Sequence, residues 1–195
     1  MYTLSTPAVV PLLTLDTIDD WFRYRADGMY AGEAVTQLEH ALQCATLAQD
    51  EGAHPELIAA AFLHDIGHLV EDMIDINDPH EKIAVNLLCK LFNDAVTEPI
   101  RMHVEAKRYL CAIDPLHWST LSEMSKRSLI WQGGPFSAPE AMTFISLPHA
   151  DDAVRLRQWD DAAKVSGAKT PSLDIFLNII RRVALPVKMQ SGELV

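Results

Sequence analysis

The chain has 195 residues, 49% of them hydrophobic, which is ample for one sizeable core and fits a single domain over 1–195. Its 27 acidic against 16 basic side chains give a formal charge of -11; with no long Lys/Arg cluster, that balance excludes a nucleic-acid binder. Cys44, Cys89 and Cys111 stand far apart with no CxxC pair, so neither a disulfide framework nor a thiolate zinc site is indicated.

The N-terminus has two early prolines and no basic n-region, so no signal peptide is expected and the cytoplasm is the expected compartment. No window approaches the roughly 20 apolar residues of a membrane span. Apolar residues recur at three- and four-residue spacing, and nothing alternates with period two, so the expected fold is all-α. A loosely attached segment (1–15) leads to a short helix at 16–24. A long helix over 31–50 carries Val35, Leu38, Leu42 and Ala45 on one stripe and stops at Glu51-Gly52. Pro55 suits the first turn of the next helix, which runs to about 70.

An acidic connector, EDMIDINDP, precedes a helix opening at His80. Further helices are expected over 94–110, with Pro99 tolerable only near its start, and over 119–131, 150–164 and 172–183. QGGP reads as a turn, and 186–195 as a tail.

The stretch AAAFLHDIGHLV places His64, Asp65 and His68 inside an otherwise apolar run. A buried imidazole or carboxylate without a partner costs several kcal/mol, so a compensating group is required, and a metal ion is the first candidate. His40, His80, His103 and Asp160 are further ligand-type residues on predicted helices. Imidazole suits iron, zinc and copper, and a carboxylate can bridge two cations through its two oxygens.

One reading puts His64 and His68 on a single helical face, as in H-E-x-x-H zinc peptidases. Asp65 is a methylene shorter than the glutamate that motif needs, and Gly67 weakens a helix there. In the other reading His64 and Asp65 are both ligands. The order H…HD…D, as His40, His64-Asp65 and Asp160, resembles the HD-domain superfamily of helical metalloproteins.

More specific motifs surround that pattern: YAGEAVTQLEHALQCA, LHDIGH, HEK, HVEAKRYL, WQGGP and RQWD. Over roughly 28–164 they resemble the small HD-domain mixed-valent diiron oxygenases that cleave organophosphonates. That resemblance implies a helical bundle with a buried dinuclear site: one iron held by His40, His64, Asp65 and Asp160, the other by Asp65, His80 and His103. It implies Fe(II)/Fe(III) with O2 as co-substrate, although such ligands also take manganese, zinc or cobalt.

The resemblance further assigns Tyr30, Glu33, His68, Lys107, Ser125 and Arg157 to the substrate. His68 meets its hydroxyl, and Tyr30 is a resting-state iron ligand displaced by substrate. Independently, Lys107 falls four residues after His103 and Arg157 three before Asp160, where a phosphonate on the metal needs counter-charge. The competing reading for both is ordinary solvated charge; for Glu33 it is an acid complementing a helix dipole.

The expected reaction is O2-dependent cleavage of the carbon–phosphorus bond of a small-molecule hydroxyphosphonate. Trp21, Phe22, Tyr24, Trp118 and Trp131 tilt the substrate towards (R)-1-hydroxy-2-(trimethylammonio)ethylphosphonate, giving glycine betaine and phosphate, because a trimethylammonium group favours aromatic faces. The primary-amine analogue, giving glycine, comes second. A 2-oxoglutarate-dependent hydroxylase is the expected source of the substrate. A metal-dependent HD phosphohydrolase and a non-catalytic metal-binding HD protein are the rivals.

Overall fold

Ten α-helices and one 3₁₀ turn make up the regular structure of the residues that the computed structural model describes, 13–30, 32–70 and 80–186. The N-terminal segment up to 12, the acidic connector 71–79 and the tail from 187 lie outside the described residues. In chain order the helices are α1 (Leu15–Tyr24), α2 (Gln37–Asp50), α3 (Pro55–Leu63), α4 (His80–Leu88), α5 (Asp94–Ile113), α6 (His117–Thr120), α7 (Glu123–Trp131), α8 (Ala138–Ile145), α9 (Ala150–Ala162) and α10 (Leu173–Val183). The 3₁₀ turn, Ile66–Leu69, lies between α3 and α4.

Every residue of α3 from Leu57 to Leu63 is buried, as expected of a helix that is apolar all round. It is wrapped by α2, α5 and α10, while α5 also packs along α9 and α4, and α2 along α9. Phe62 centres the main core, with ring centroids 4.3 Å from Phe22 and 5.9 Å from Phe176. A smaller cluster, with Met102, Ala106, Phe144, Ala150 and Ala153, lies where α5 and α9 meet α8. No helix among the described residues is long and apolar enough to cross a membrane.

The structure corrects the sequence-based boundaries at three places that matter. The helix expected from 31 begins at Gln37, because Thr36 caps it: its hydroxyl accepts from Glu39 N at 3.1 Å and its own N donates to Glu39 Oε2 at 2.8 Å. Residues before it form a loop closed by a bridge between Met29 and Thr36, in which Tyr30 N donates to Val35 O at 2.9 Å. Tyr30 and Glu33 are therefore joined by a tight turn, Glu33 N to Tyr30 O at 2.6 Å, and are not one helical turn apart.

The HD helix stops at Leu63. Adjacent residues on an α-helix point about 100° apart; here the helix ends before His64 and Asp65, and both turn to one centre. Asp65 adopts φ -101° and ψ 12°, in the sparsely populated bridge region common at active sites. This break also removes the single helical face that the zinc-peptidase reading required.

Last, α8 was not expected, and the helix predicted over 119–131 is two: α6, then α7 capped by Ser122, whose hydroxyl accepts from Ser125 N at 3.2 Å.

Candidate metal centre

Five segments converge on one buried point. His40 comes from the first turn of α2, His64 and Asp65 from just past the end of α3, His80 from the first residue of α4, His103 from the middle of α5 and Asp160 from the last turn of α9. All six are buried.

Their donor atoms fall into two groups divided by the Asp65 carboxylate. Its Oδ2 lies 3.6 Å from His40 Nε2 and 3.3 Å from His64 Nε2, and Asp160 Oδ1 is 3.5 Å from His40 Nε2. Its Oδ1 lies 3.4 Å from His80 Nε2 and 3.9 Å from His103 Nε2. Among the described residues neither Asp65 oxygen, nor Asp160 Oδ1, has a hydrogen-bond partner, although all three are buried. Buried carboxylate oxygens are too costly to be left this way, and a cation on each side of Asp65 would satisfy them.

The histidines point to the same answer. His40 Nδ1 donates to Ala163 O at 2.9 Å, His64 Nδ1 to Ala61 O at 2.9 Å and His103 Nδ1 to Ile100 O at 2.7 Å. In the neutral rings these bonds put the proton on Nδ1 and leave a bare lone pair on each Nε2, as in metal-bound histidines. The 3.3 Å between the Nε2 atoms of His40 and His64 therefore brings together two acceptors, not a donor and an acceptor. A shared cation turns that repulsion into coordination. The set, two carboxylates and four imidazoles, suits first-row transition metals.

Electrostatics agree for most of the set. Burial lowers His40 to about 4 and, with His80 and His64 nearby, His103 to about 3, so both stay neutral ligands. Burial opposes ionisation of Asp65, but His64, His68 and His80 outweigh it and hold the carboxylate well below its usual range. Burial likewise opposes Asp160, and Arg157 and Lys164 overcome it. His64 moves upward, burial being outweighed by Asp65, a demand for positive charge that a metal ion would meet.

Beside this centre lies a cationic wall. Lys107 is buried and donates to Ser128 Oγ at 2.7 Å; burial and the neighbouring Arg157 lower it to about 7. Ser128 Oγ donates to Ser125 O at 3.1 Å, and Ser125 Oγ accepts from Lys164 Nζ at 3.1 Å. Arg157 Nη1 lies 2.7 Å from Asp160 Oδ2. Two buried cations and two hydroxyls next to the histidine–aspartate cluster have the chemistry to pair with a tetrahedral oxyanion.

Tyr30 is stacked on His40 at 3.9 Å between centroids; burial, Asp160 and Asp65 keep its phenol protonated. His68 is stacked on His80 at 4.3 Å and reaches Asp65 Oδ1 at 4.0 Å. It stands between the centre and a cavity of about 340 Å³ lined by Tyr24, Arg25, His68, Leu69 and Val70.

Residues 38–130 match the HD domain family. A hydroxymethylphosphonate dioxygenase of Gimesia maris is 47% identical over 148 residues, 72% of this chain and 74% of that protein. The [1-hydroxy-2-(trimethylamino)ethyl]phosphonate dioxygenase (glycine-betaine-forming) of Leisingera caerulea is 39% identical over 168 residues, 83% and 86% of the two chains. The chain belongs to the HD-domain phosphonate dioxygenases. An uncharacterised protein, L432, of Acanthamoeba polyphaga mimivirus is 36% identical over 174 residues, 85% of this chain and 80% of that protein.

In this dioxygenase, all six residues expected as ligands meet, and Tyr30, His68, Lys107, Ser125 and Arg157 surround them. Glu33 sits half-buried in the Tyr30 turn, with no ion pair among the described residues. Of the aromatics expected near a cationic headgroup, Trp21 and Phe22 belong to the main core, Trp131 is 75% exposed, and Tyr24 alone lines the cavity beside His68. Two residues escaped the sequence reading. Lys164 has the same four-residue spacing from Asp160 that singled out Lys107 from His103, and Ser128 lies one turn beyond Ser125.

Proposed function

We propose that the protein is a diiron dioxygenase that cleaves the carbon–phosphorus bond of a 1-hydroxyphosphonate, with O2, to a carboxylate and inorganic phosphate. The observation that carries this reading is the divided Asp65 carboxylate, one oxygen towards each ligand group, beside the wall of Lys107, Arg157 and Lys164. The balance closes without a further reductant: hydroxyphosphonate and one O2 contain the atoms of one carboxylic acid and one phosphate, and the substrate is the electron donor. His40, His64, Asp65, Asp160, His80 and His103 would hold an iron pair, which would supply the redox chemistry with O2.

The protein's own side chains do the rest. Lys107 and Lys164, with the hydroxyls of Ser125 and Ser128, bind and neutralise the phosphonate, and Arg157 adds its charge from the Asp160 side. His68, between cavity and centre, holds or moves the proton of the substrate hydroxyl. Tyr30, stacked over His40, covers the site and keeps water from the ligands.

For the group beyond the hydroxylated carbon, the favoured reading is (R)-1-hydroxy-2-(trimethylammonio)ethylphosphonate, giving glycine betaine. It is supported by the space beside His68, by the Tyr24 ring on its wall and by Glu33 in the Tyr30 turn. A second reading, hydroxymethylphosphonate, is supported by the 47% identical relative and by Arg25 on the cavity wall, which disfavours a cation. Under either, a hydroxylase of the 2-oxoglutarate-dependent class would make the substrate from the parent phosphonate.

The test is phosphate release by iron-loaded protein from these two compounds and the primary-amine analogue, in matched aerobic and anaerobic samples. Phosphate only with O2, and fastest from the trimethylammonium compound, is expected. Fastest release from hydroxymethylphosphonate would establish the second reading. Anaerobic hydrolysis of phosphoesters, or no phosphate from any hydroxyphosphonate, would overturn the oxygenase.

A further inference from the structure

Asp161 follows the ligand Asp160 directly, yet faces a different partner. It meets the Nε edge of Arg157, accepting from Nε at 3.1 Å and also from Nη2. Arg157 Nη1 meets Asp160 Oδ2 on the other side at 2.7 Å. From the opposite direction, His117 of α6 approaches Asp161 Oδ2 with Nε2 at 3.2 Å. The result is a chain from α6 into the centre: His117, Asp161, Arg157, Asp160. Its inner end is Asp160 Oδ1, 3.5 Å from His40 Nε2.

The guanidinium at the middle of this chain is buried, with five N–H groups in a rigid plane. Asp161 takes two of them and Asp160 one, which leaves donors on both terminal nitrogens and fixes the plane in which they point. Among the described residues Asp161 supplies the hydrogen bonds on the Nε edge that hold this plane against rotation. Burial opposes the charge on Arg157, and the two aspartates more than compensate, so the cation stays in place before an anion arrives.

We propose that Asp161 is a positioning residue that orients Arg157 for the substrate's phosphonate, with His117 as its outer support. The inference rests on the phosphonate reading of the site. It assigns Asp161 no contact with metal or substrate, so its loss should affect anion affinity and leave the metal sites loaded.

The experiment uses the full-length, metal-loaded protein and inorganic phosphate, the product oxyanion, as the binding probe. Asp161→Asn keeps the shape and removes the charge of the fork. It is expected to weaken phosphate binding about tenfold and raise the substrate KM about as much, with a smaller effect on kcat and wild-type metal content. Asp161→Glu, which restores the charge, should recover most of that loss. His117→Ala leaves the buried pair intact and should shift phosphate affinity in the same direction by about threefold, giving an answer even if Asp161→Asn does not fold.

Wild-type phosphate affinity in Asp161→Asn, or in His117→Ala where Asp161→Asn does not fold, or a fall in metal content that parallels the fall in affinity, would overturn the proposal. The functional reading fails separately: a wild-type protein that binds phosphate but releases none from hydroxyphosphonates disproves that reading and leaves the Asp161 comparison intact.

Discussion

A single methyl group at Gly67 should separate the two halves of the metal centre. A Cβ placed on Gly67 would lie 2.3 Å from the carbonyl oxygen of His80 and 3.0 Å from its carbonyl carbon. An ordinary carbon–oxygen contact needs about 3.3 Å, so the start of α4 must retreat by about 1 Å. His80 is the residue that retreats, and its Nε2 stands 3.4 Å from Asp65 Oδ1 and 3.1 Å from His103 Nε2. Metal–ligand distances tolerate only about 0.2 Å, so a 1 Å displacement should empty the second site and spare the first, whose ligands lie on α2, α3 and α9.

Gly67→Ala protein should therefore bind about one metal ion per chain in place of two. Activity should fall about 100-fold, the usual cost of a 1 Å misplacement. Metal analysis after equilibrium dialysis, beside thermal unfolding, measures this. Gly28→Ala is the control, since a Cβ there meets nothing within 4 Å. Two metals bound with wild-type affinity in Gly67→Ala would refute the reasoning.

Lys107, lowered to about 7 by burial and Arg157, should lose its charge as pH rises through that value. The kcat/KM of the wild-type protein should then decline above about pH 7, and Lys107→Arg, charged throughout, should flatten that limb if it still binds substrate; an unchanged profile would remove Lys107 from the phosphonate site. Removing metal should also destabilise the fold, because Asp65 and Asp160 lose the cations that satisfy them. At 100 times Kd, one bound ion is worth about 2.7 kcal/mol, or roughly 5–10 °C of Tm in a chain of this size, readable by calorimetry with and without chelator.

The buried histidine–aspartate cluster was legible in the sequence: His64-Asp65 stands out in an apolar run, and His40, His80, His103 and Asp160 stand at family-like intervals. The helices that follow apolar period were legible as well. What the sequence obscured was where helices must break. The stripe of Val35, Leu38 and Leu42 continues through the Thr36–Glu39 capping box, so periodicity overrode a cap that was there to be read. Ser137 and Glu140 gave the same signal for α8.

The break after Leu63 has one weak signal, Gly67, and the apolar run continues past it. Side chains that act across the fold were the least visible. Lys164 on Ser125 and His117 on Asp161 depend on how α6, α7 and α9 pack, and no spacing within one helix encodes that. The aromatic residues show the converse: Trp21 and Phe22 had the chemistry of a cation cage and are used to fill the core.

The division of Asp65 between two metal ions is tested most directly by a crystal structure of the iron-loaded protein, with anomalous scattering measured at the iron edge. Two peaks are expected on either side of the Asp65 carboxylate, one among His40, His64 and Asp160 and the other between His80 and His103. A single peak, or iron bound away from Asp65, would contradict it.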